Sequence, residues 1–568
     1  MRTAAEGCLA WRAMAGPSKP ILVAVAWPYA NGLQHLGHIA GAYLPGDIFA
    51  RYHRRRGNRV LMVSGSDAHG TPITVRADQE GVEPGAIVER FHPEFLRTWE
   101  QLGISFDLFT STMTDNHHDV TRALFTRLRD RGYIDLRSTE QMYDPEADRF
   151  LPDRYVEGTC PHCGYPEARG DQCENCGRTL DPVDLIEPRS RLTGAAPVLR
   201  ETDHFFLLLS KLAPELLEWL SSREGWRRHV LNWSLQFVKD GLHDRAITRD
   251  LTWGVRLPGD ELGEGKRIYV WFDAVIGYLS ASIEWAQRSG DPDAWRAWWE
   301  GPDAESYYFV GKDNIPFHTV VWPAILLGHG DLGLPTEVAA NQYVTFKGAK
   351  ASKSAGVGRT VADYLDRMEP DALRYALACV LPEQNDTELT DDELVRRVND
   401  ELVAVWGNLV NRVVSMIGRN FAGTVPPAVA PVGDDVNVVA AVDAAVAEGG
   451  RLLEAVELRA ALRAAMAAAQ AVNAYLNRHE PWKLVKVDEE RAGTVLHHAL
   501  QAVAGINLAL SPYVPTASAA VAEALGHLPA DEVGTDGWTR TPVPAGQRLG
   551  SLPPLFAKLE GPLFESEP

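Results

Sequence analysis

Two apolar stretches joined by a helical pattern limit what this chain can fold into. The first, ILVAVAW (21–27), contains no polar side chain except the indole N–H, and RVLMVSG (59–65) is nearly as apolar. Strands that are apolar on both faces are typical of buried parallel sheets. A helical pattern from about 36 to 55 supplies the crossover between them. This order predicts a βαβ unit of a doubly wound parallel sheet.

The α/β alternation is then interrupted. Residues 138 to about 200 are rich in loops, and helical character returns at 204–220. The alternation resumes with a strand and helix in 267–286 and a strand at 306–314. We therefore predict one sheet split by an insert of about 110 residues. From about 371 the pattern becomes helical and predicts a bundle.

Composition narrows the class of protein. A chain of 568 residues predicts several domains, and the net charge of −20 argues weakly against nucleic acid as a partner. The basic stretch RYHRRRGNR (51–59) is either a local nucleic-acid contact or the solvated end of a helix. We find neither a run of about 18 apolar residues nor a signal peptide's apolar core. We therefore expect a cytoplasmic protein without a membrane partner.

Four of the six cysteines fall in one short segment, CPHCGYPEARGDQCENCG. They form two CxxC pairs: Cys160, Cys163, Cys173 and Cys176. Two such pairs can close a tetrahedral thiolate site, and four thiolates leave no open position for substrate. The pattern therefore predicts one structural Zn²⁺ ion rather than four ordinary buried cysteines.

Two polar loops are candidates for phosphate binding. In PYANGLQHLGH, His35 and His38 lie in the first turn of a helix that follows a parallel strand, where anions bind. The alternative is one capping and one packed histidine. FKGAKASKSAGVG (346–358) carries Lys347, Lys350 and Lys353 among small residues. It suits a polyphosphate, or it is a solvated turn.

Three further sets of residues are candidates for ligand binding, and each of them also has a purely structural interpretation. Asp67, in SDAHGTP, would meet a ligand ammonium or hydroxyl at the end of the second strand, or it would cap a helix. The segments YVWFDAVIGY and KDNIPFHTVVWP would form an aromatic pocket, or simply pack in the core. Asn408, Arg412 and Trp482 would bind unpaired bases, or form a surface pair beside a buried indole.

Taken in order, these stretches resemble a known family. HLGH and KASKS resemble the HIGH and KMSKS signatures of class I aminoacyl-tRNA synthetases. PYANGLQHLGH, SDAHGTP, the four-cysteine knuckle, YVWFDAVIGY, GKDNIPFH and EPWKL resemble the methionyl-tRNA synthetase family more specifically. The resemblance extends from about residue 20 to 525. It implies a ligase that activates L-methionine with ATP and transfers it to the 3′-terminal adenosine of tRNA(Met), initiator and elongator alike.

The resemblance also implies roles for individual residues. The ATP phosphates would be held by His35, His38, Lys350 and Lys353, with Mg²⁺ accompanying ATP, and Asp313 would approach the ribose. Asp67 would bind the methionine ammonium. The side-chain pocket would be formed by Tyr29, Trp271, Ala274, Tyr278, Phe317, His318 and Trp322. The anticodon would be bound by Asn408, Arg412, Pro481 and Trp482.

The implied fold is a Rossmann-like doubly wound sheet split by a zinc-knuckle connective insert and followed by a helical anticodon-binding domain. The expected divisions are a disordered leader, the first Rossmann half, the insert, the second half, the KMSKS and stem-contact segment, the anticodon-binding bundle and a tail: 1–19, 20–137, 138–248, 249–340, 341–395, 396–530 and 531–568. Some members add a C-terminal tRNA-binding domain through which they dimerise. We see none here and expect a monomer.

Some positions depart from the family pattern, and two other functions stay open. The departures are Trp27, Val275, Asn314, Ala351 and Ala404. They bring into question the shape of the methionine pocket and part of the anticodon contact. A different class I synthetase, such as the cysteine enzyme, would need an active-site zinc with an open position. A non-catalytic paralogue that binds tRNA or senses methionine would not need both histidines and both lysines.

Overall fold

A five-stranded parallel sheet forms the centre of the N-terminal half. The computed structural model describes residues 18–170, 173, 175–176, 178, 180–259, 261–346, 349–350, 359–527 and 537–564. The strands of this sheet are β1 (Pro20–Val25), β2 (Arg59–Ser66), β3 (Leu108–Ser111), β4 (Glu305–Gly311) and β5 (Glu337–Asn341). Their order is β5-β4-β1-β2-β3, and every pairing is parallel. The prediction of a doubly wound sheet is confirmed.

Helices cover both faces of this sheet. The predicted helix at 36–55 is confirmed, although it is built from three consecutive segments: Leu36–His38, the π-helical Ile39–Tyr43 and Leu44–Arg55. The other helices of this half are Thr71–Glu80, Pro84–Leu102, Asp115–Asp130, Val270–Arg288, Arg296–Trp299, the 3₁₀ turn Lys312–Asn314, the π-helical Phe317–Val321, and Trp322–His329. Strand β1 is buried along almost its whole length, as its apolar sequence predicts.

The insert contains more strand than its loop-rich sequence indicates. Two antiparallel strands, Ile134–Asp144 and Val198–Leu207, pair over ten residues. The helix predicted at 204–220 therefore begins at Leu209 and ends at Ser221, because the residues before it complete the strand. Each strand finds its partner more than fifty residues away, which a local pattern does not reveal.

The remaining elements of the insert and its borders are short. The helices are Asp153–Tyr155, Pro182–Asp184 and Arg228–Lys239. The strands are Arg149–Phe150, Val156–Thr159, Ala168–Arg169, Ile186–Ser190, Arg245–Ala246, Thr248–Asp250 and Lys266–Ile268. Three of them, Val156–Thr159, Ala168–Arg169 and Ile186–Ser190, form the small sheet that carries the first CxxC pair at one end. The first CxxC pair therefore directly follows a strand of this three-stranded sheet.

The C-terminal half is helical, as predicted. Besides the short strands Val344–Phe346, Ala349–Lys350 and Thr387–Glu388, it contains the helices Val361–Leu365, Pro370–Ala378, Asp391–Arg396, the π-helical Arg397–Gly407, Asn408–Asn420, Gly433–Glu454, Leu458–His479, Pro481–Leu484, Glu489–Leu510 and Pro515–Ala524. Residues 537–564 contain neither a helix nor a strand.

A buried ion pair joins the two halves. The Arg374 guanidinium contacts the Asp47 carboxylate at 2.6 Å, and both side chains are buried. Arg374 also donates to the carbonyls of Pro512 and Tyr513. Because a buried charge is tolerated only when it is paired, this contact fixes the bundle against the helix that follows the two histidines.

Candidate active site

The exits of strands β1 and β2 form one unit at the carboxyl edge of the sheet, where parallel strands end. Tyr29 and Asp67 form a parallel bridge, with the Asp67 N–H donating to the Pro28 carbonyl at 2.9 Å. The Tyr29 ring also lies against Gly70, where a Cβ atom would stand 2.1 Å from Tyr29 Cε1. This contact explains why SDAHGTP has a glycine at position 70, since a larger residue would collide with the ring of Tyr29 in PYANGLQHLGH. Open α/β sheets bind ligands at this edge.

The two histidines stack on each other at the start of the first helix. The centroids of the His35 and His38 rings are 3.6 Å apart, and the ring planes differ by 25°. The His35 backbone N–H donates to His38 Nδ1 at 3.2 Å. A neutral imidazole that accepts at Nδ1 carries its proton at Nε2, so His38 is in a donor form suited to an anion.

The lysine loop begins and ends beside this pair of histidines. Strand Val344–Phe346 leads into the loop and pairs with Ala349–Lys350. Beyond the loop, Thr360 forms an antiparallel bridge with His35, and the Val361 N–H donates to the Gln34 carbonyl at 2.9 Å. Lys353 and the Lys350 side chain lie outside the described residues. The contacts of Thr360 and Val361 nevertheless hold the far end of the loop next to HLGH.

Asp67 is buried at the bottom of this edge, with only 3% of its surface exposed. Burial raises the pKa of its carboxyl to about 7, and the negative charge of Asp273 acts in the same direction. A carboxyl group in such a place gains most when a cation comes to it. Asp67 is not the N-cap of the following helix, since that position is Gly70.

Two of the predicted pocket residues form a buried hydrogen-bonded pair. The Tyr278 hydroxyl and His318 Nε2 are 2.8 Å apart, and His318 Nδ1 is 2.9 Å from the Asn314 carbonyl. The carbonyl can only accept, so the proton of His318 is on Nδ1 and the Tyr278 hydroxyl donates to Nε2. Burial lowers the pKa of His318 to about 4, so the pair is neutral near pH 7.

The other predicted pocket residues have different surroundings. The rings of Trp271 and Phe317 contact each other at a centroid distance of 4.6 Å, and both are partly exposed. Ala274 lies one helical turn after Trp271 on the same helix. Trp322 is fully buried and donates from Nε1 to the Tyr308 hydroxyl at 2.9 Å. Trp322 therefore lies in the core, and its hydrogen-bond partner Tyr308 is not among the residues predicted from the sequence.

Trp27 occupies a slot lined by two glycines. A Cβ atom at Gly65 would stand 2.3 Å from Trp27 Cζ3, and one at Gly277 would stand 2.6 Å from Trp27 Cε2. The indole meets the Tyr278 ring edge-on at 6.4 Å and the His117 ring at 6.3 Å. The Trp27 indole therefore fills the space left by the two glycines, next to Tyr278. This packing explains how a large side chain fits at a position that departs from the family pattern.

Gly277→Ala is expected to destabilise the protein by about 1–3 kcal/mol, as overpacking does. The three atoms nearest to a Cβ at this position all belong to Trp27, so the second change Trp27→Leu should remove the clash. Thermal unfolding of the two single variants and the double variant measures this coupling. If the double variant lost as much stability as the two single variants together, the contact between Trp27 and Gly277 would be wrong.

Asp313 lies in the 3₁₀ turn after β4, at the same edge of the sheet. Its carboxylate accepts a hydrogen bond from the Tyr343 hydroxyl. Beside it, Lys312 pairs with Asp386 at 2.8 Å, and its ammonium lies 3.8 Å from the centroid of the Tyr343 ring. These contacts hold the turn close to the strand that leads into the lysine loop.

The predicted anticodon residues lie together at one place in the bundle. The Arg412 guanidinium lies 5.0 Å from the centroid of the Trp482 ring and donates to Asn477 Oδ1 at 3.1 Å. Asn408, which is exposed, donates weakly to the Ala404 carbonyl at 3.4 Å, and Arg412 donates to Asn473 and Asn477 rather than to Asn408. Pro481 is buried, and Trp482 is half-buried. The alternative of an Asn–Arg surface pair beside a buried indole is therefore wrong.

The four cysteines of the insert converge on one point. Their Sγ atoms all lie within 4.8 Å of one another. The separation of Cys160 and Cys176 is 3.9 Å, and that of Cys163 and Cys173 is 3.5 Å. Zn–S bonds of about 2.3 Å in a tetrahedron place sulfurs about 3.8 Å apart, so this donor set fits a four-thiolate metal site. Gly164, after the first pair, has φ +74, whereas Gly177 lies outside the described residues.

π-Helical segments contain or adjoin several of the residues predicted to bind phosphate, methionine or the anticodon. Ile39–Tyr43 comes directly after His38, Phe317–Val321 contains two predicted pocket residues, and Arg397–Gly407 ends beside Asn408. Such segments are rare and are frequent at functional sites, because they shift side chains relative to a regular helix. Their sequences look like ordinary helix, so the sequence did not indicate them.

The sheet, the stacked histidines and the bridged lysine loop define a class I tRNA synthetase. The family model "tRNA synthetases class I (M)" matches residues 21–414, and the model "Anticodon binding domain of methionyl tRNA ligase" matches residues 425–564. The methionine–tRNA ligase of Roseiflexus sp. is 52% identical over 96% of this chain and 98% of its own. That of Dehalococcoides mccartyi is 49% identical over 97% and 99%.

A solved structure agrees with these relatives. Mycobacterium tuberculosis methionyl-tRNA synthetase in complex with methionyl-adenylate superposes with a TM-score of 0.79 at 27% identity, over 95% of this chain and 99% of that one. The chain therefore belongs to the methionine–tRNA ligase family and is an aminoacyl-tRNA ligase. Within the part of the chain that the structure describes, we find no helix of the length and hydropathy that a membrane span needs.

Proposed function

We propose that the carboxyl edge of the sheet joins L-methionine to AMP and then to tRNA. In the first step a methionine carboxylate oxygen attacks the α-phosphorus of ATP, and the bond to the β-phosphate oxygen breaks to release pyrophosphate. In the second step a ribose hydroxyl of the terminal tRNA adenosine attacks the adenylate carbonyl, and AMP leaves. The observation that carries this proposal is the His35–Thr360 bridge, which brings the two polar loops together.

Neither step requires a nucleophile from the protein. Displacement at phosphorus depends mainly on positioning and on stabilising the negative charge that develops. His35 and His38, at a helix N-terminus, would supply donors to the phosphates, and Lys350 and Lys353 would supply ammonium groups to the same phosphates. Mg²⁺ bound with ATP would offset part of the phosphate charge.

The amino-acid site follows from charge and shape. Asp67 would bind the methionine ammonium, because it is a buried carboxylate at the strand exit. The neutral Tyr278–His318 pair and the partly exposed rings of Trp271 and Phe317 suit an apolar, polarizable thioether. Tyr29, Ala274 and Trp322 complete the pocket or support it, and Asp313 would approach the ribose.

The bundle would select the tRNA by its CAU anticodon. Arg412 and Trp482 present a guanidinium and an indole in a stacked arrangement, which suits unpaired bases. Asn408 is exposed on the same helix as Arg412, and Pro481 fixes the turn before Trp482. We infer that initiator and elongator tRNA(Met) are both substrates, since they share this anticodon.

Trp482→Ala is expected to lower kcat/KM for tRNA about 5- to 160-fold, because one base–aromatic stack is worth about 1–3 kcal/mol. Methionine-dependent ATP–pyrophosphate exchange, which needs no tRNA, should stay unchanged. Trp295→Ala is the matched control, since Trp295 is also half-buried beneath an arginine, Arg296, at 4.8 Å. Charging of a tRNA(Met) transcript with methionine measures both variants. If Trp482→Ala and Trp295→Ala lowered kcat/KM for tRNA equally, the proposed role of Trp482 in anticodon binding would be wrong.

We propose that the metal of the cysteine cluster is Zn²⁺ and that its role is structural. Four thiolates leave no position open, and tetrahedral thiolate sites are typical of zinc. The cluster packs through apolar neighbours against Val75, on the helix that follows SDAHGTP. It therefore supports the loop that carries Asp67 and takes no part in the chemistry. This disfavours the cysteine enzyme, which would need an open metal position.

Cys173→Ser is expected to lower the zinc content from one ion per chain to well below one, because it replaces a buried thiolate ligand. Cys379→Ser is the matched control and should retain one ion, since Cys379 is the C-cap of the helix Pro370–Ala378, far along the chain from the cluster. Elemental analysis of the purified proteins gives the ratio. Full zinc in Cys173→Ser would contradict the four-thiolate site.

Other parts of this proposal concern the whole chain. We infer a cytoplasmic monomer that handles ATP, methionine and tRNA. We also keep the division into the leader, the split Rossmann domain with its insert at 138–248, the KMSKS segment at 341–395, the bundle at 396–530 and the tail. The family models meet between 414 and 425, inside the first part of that bundle.

A further inference from the structure

A buried histidine links Asp67 to a second carboxylate. The His69 backbone N–H donates to Asp67 Oδ1 at 3.1 Å, and its ring Nδ1 lies 2.7 Å from Asp273 Oδ2. All three side chains are buried, with 0% of Asp273 exposed. Asp273 belongs to the helix Val270–Arg288, which also carries the pocket residues. His69 therefore contacts both carboxyl groups, Asp67 through its backbone and Asp273 through its ring.

The second oxygen of Asp273 has a partner of its own. His117 Nε2 lies 2.5 Å from Asp273 Oδ1, and His117 Nδ1 lies 2.8 Å from the Ser280 hydroxyl. Both oxygens of Asp273 thus accept from imidazole N–H groups. Burial opposes ionisation of this carboxyl, but the two imidazoles outweigh burial and hold its pKa below the ordinary value.

The two carboxyls have unequal surroundings, and this decides which of them titrates. Asp273 has two imidazole donors, whereas Asp67 has the backbone N–H groups of His69 and Gly70. When two acidic groups are close and buried, the better-supported one stays ionised and its charge opposes ionisation of the other. Asp273 is therefore the permanent charge, and Asp67 is the group that changes charge near neutral pH.

Two further titratable groups face this pair, besides His69 and His117. The His118 ring lies 5.3 Å from that of His69, and burial lowers the pKa of His118 to about 4. Tyr278 faces Asp67, and burial raises the pKa of its hydroxyl well above the ordinary value. Both stay neutral between pH 5 and 9, so neither adds a charge that changes over this range.

We propose that Asp273 is a positioning residue for methionine binding, which acts through His69 on Asp67 and sets the pH range in which Asp67 accepts an ammonium group. The inference rests on the proposed function, because it assigns the ammonium to Asp67. An incoming ammonium would meet two carboxylates, so Asp273 both delays the ionisation of the free Asp67 and strengthens the attraction once the ammonium has bound.

These two effects give Asp273→Asn a distinctive signature. In the pH profile of kcat/KM for methionine in ATP–pyrophosphate exchange, the fall on the acidic side should move to lower pH by about one unit or more, as expected on removing a like charge. At pH 8.5 the KM for methionine should rise, while the KM for ATP should not. A merely structural loss would lower activity at every pH without moving the profile.

Two companion variants make the test decisive. Glu284→Gln removes a buried carboxylate from the same helix, hydrogen-bonded to Thr110, and should leave the profile in place. His69→Ala keeps the backbone N–H to Asp67 but removes the imidazole, whose electrostatic effect lowers the pKa of the Asp67 carboxyl, so the acidic fall should move to higher pH. Because the two shifts have opposite signs, His69→Ala tests the inference even if Asp273→Asn does not fold.

The outcomes separate this inference from the proposed function. Shifts of opposite sign in Asp273→Asn and His69→Ala support it. Folded variants whose profiles coincide with that of the unchanged protein overturn it, while methionine-dependent exchange itself continues to support the proposed function. If the unchanged protein gives no exchange with methionine, the proposed function fails first.

Discussion

His38→Ala is expected to lower the rate of methionine-dependent ATP–pyrophosphate exchange by ~10²–10³, the usual effect of removing one donor that stabilises developing charge. Its ring stacks on His35 at the start of the first helix, and because Nδ1 accepts from the His35 N–H, the ring proton is on Nε2. The dissociation constant for methionine, measured by calorimetry without ATP, should change less than about threefold, because His38 serves the phosphates. Lys353→Ala should behave in the same way.

The control for this prediction is His243→Ala, which changes an exposed histidine of the insert. Its exchange rate should match that of the unchanged protein. If His38→Ala weakened methionine binding as strongly as it slowed exchange, the histidines would belong to the amino-acid pocket, and the assignment of a phosphate clamp would be wrong.

Asp67→Asn is expected to raise the KM for methionine at least about 30-fold at pH 8, since losing one partner of a buried charge pair costs about 2 kcal/mol or more. The protein with Asp67 should also show a pH dependence that the variant lacks. Because the pKa of this carboxyl is raised to about 7, it is protonated and neutral below that pH in the free protein.

The sign of this dependence follows directly. As the pH falls below about 7, the ionised fraction of Asp67 falls tenfold per unit, and kcat/KM for methionine falls with it, since this parameter reports the free enzyme. Profiles from pH 5 to 9 measure the effect. An Asp67→Asn variant that kept the same acidic fall would show that another group titrates and would exclude Asp67 as the ammonium partner.

Sequence patterns predicted those features that depend on neighbours along the chain. The apolar run at 21–27 and the helical pattern after it gave the βαβ unit, because burial on both faces leaves a continuous apolar stretch. The cysteine pairs predicted a metal site, because CxxC spacing places two thiols on one turn, and the structure brings all four sulfurs together.

Contacts between distant segments could not be predicted in the same way. His35 and Thr360 are bridged across more than 300 residues, and neither residue type indicates a partner. The strand Val198–Leu207 looks partly helical until it is paired with Ile134–Asp144. Trp27 is explained only when Gly65 and Gly277 are placed on either side of it. These features depend on how the elements pack, which local periodicity does not encode.

The electrostatic environment of Asp67 could not be predicted from the sequence either. Its place after strand β2 indicated a ligand contact, but Asp273, 206 residues later, looked like one more residue of an aromatic segment. Only the folded arrangement, in which His69 lies between them, shows that the ionisation of one depends on the other. Order along the chain located the site, and packing determined its electrostatics.

The central claim is that this edge of the sheet activates methionine. Pyrophosphate exchange by the full chain, folded and loaded with zinc, should be measured with each of the twenty amino acids in turn. Methionine should support rapid exchange, and leucine, isoleucine and valine should be at least ~10–200-fold poorer, the discrimination that an apolar pocket provides. Absence of exchange with methionine under these conditions would contradict the account.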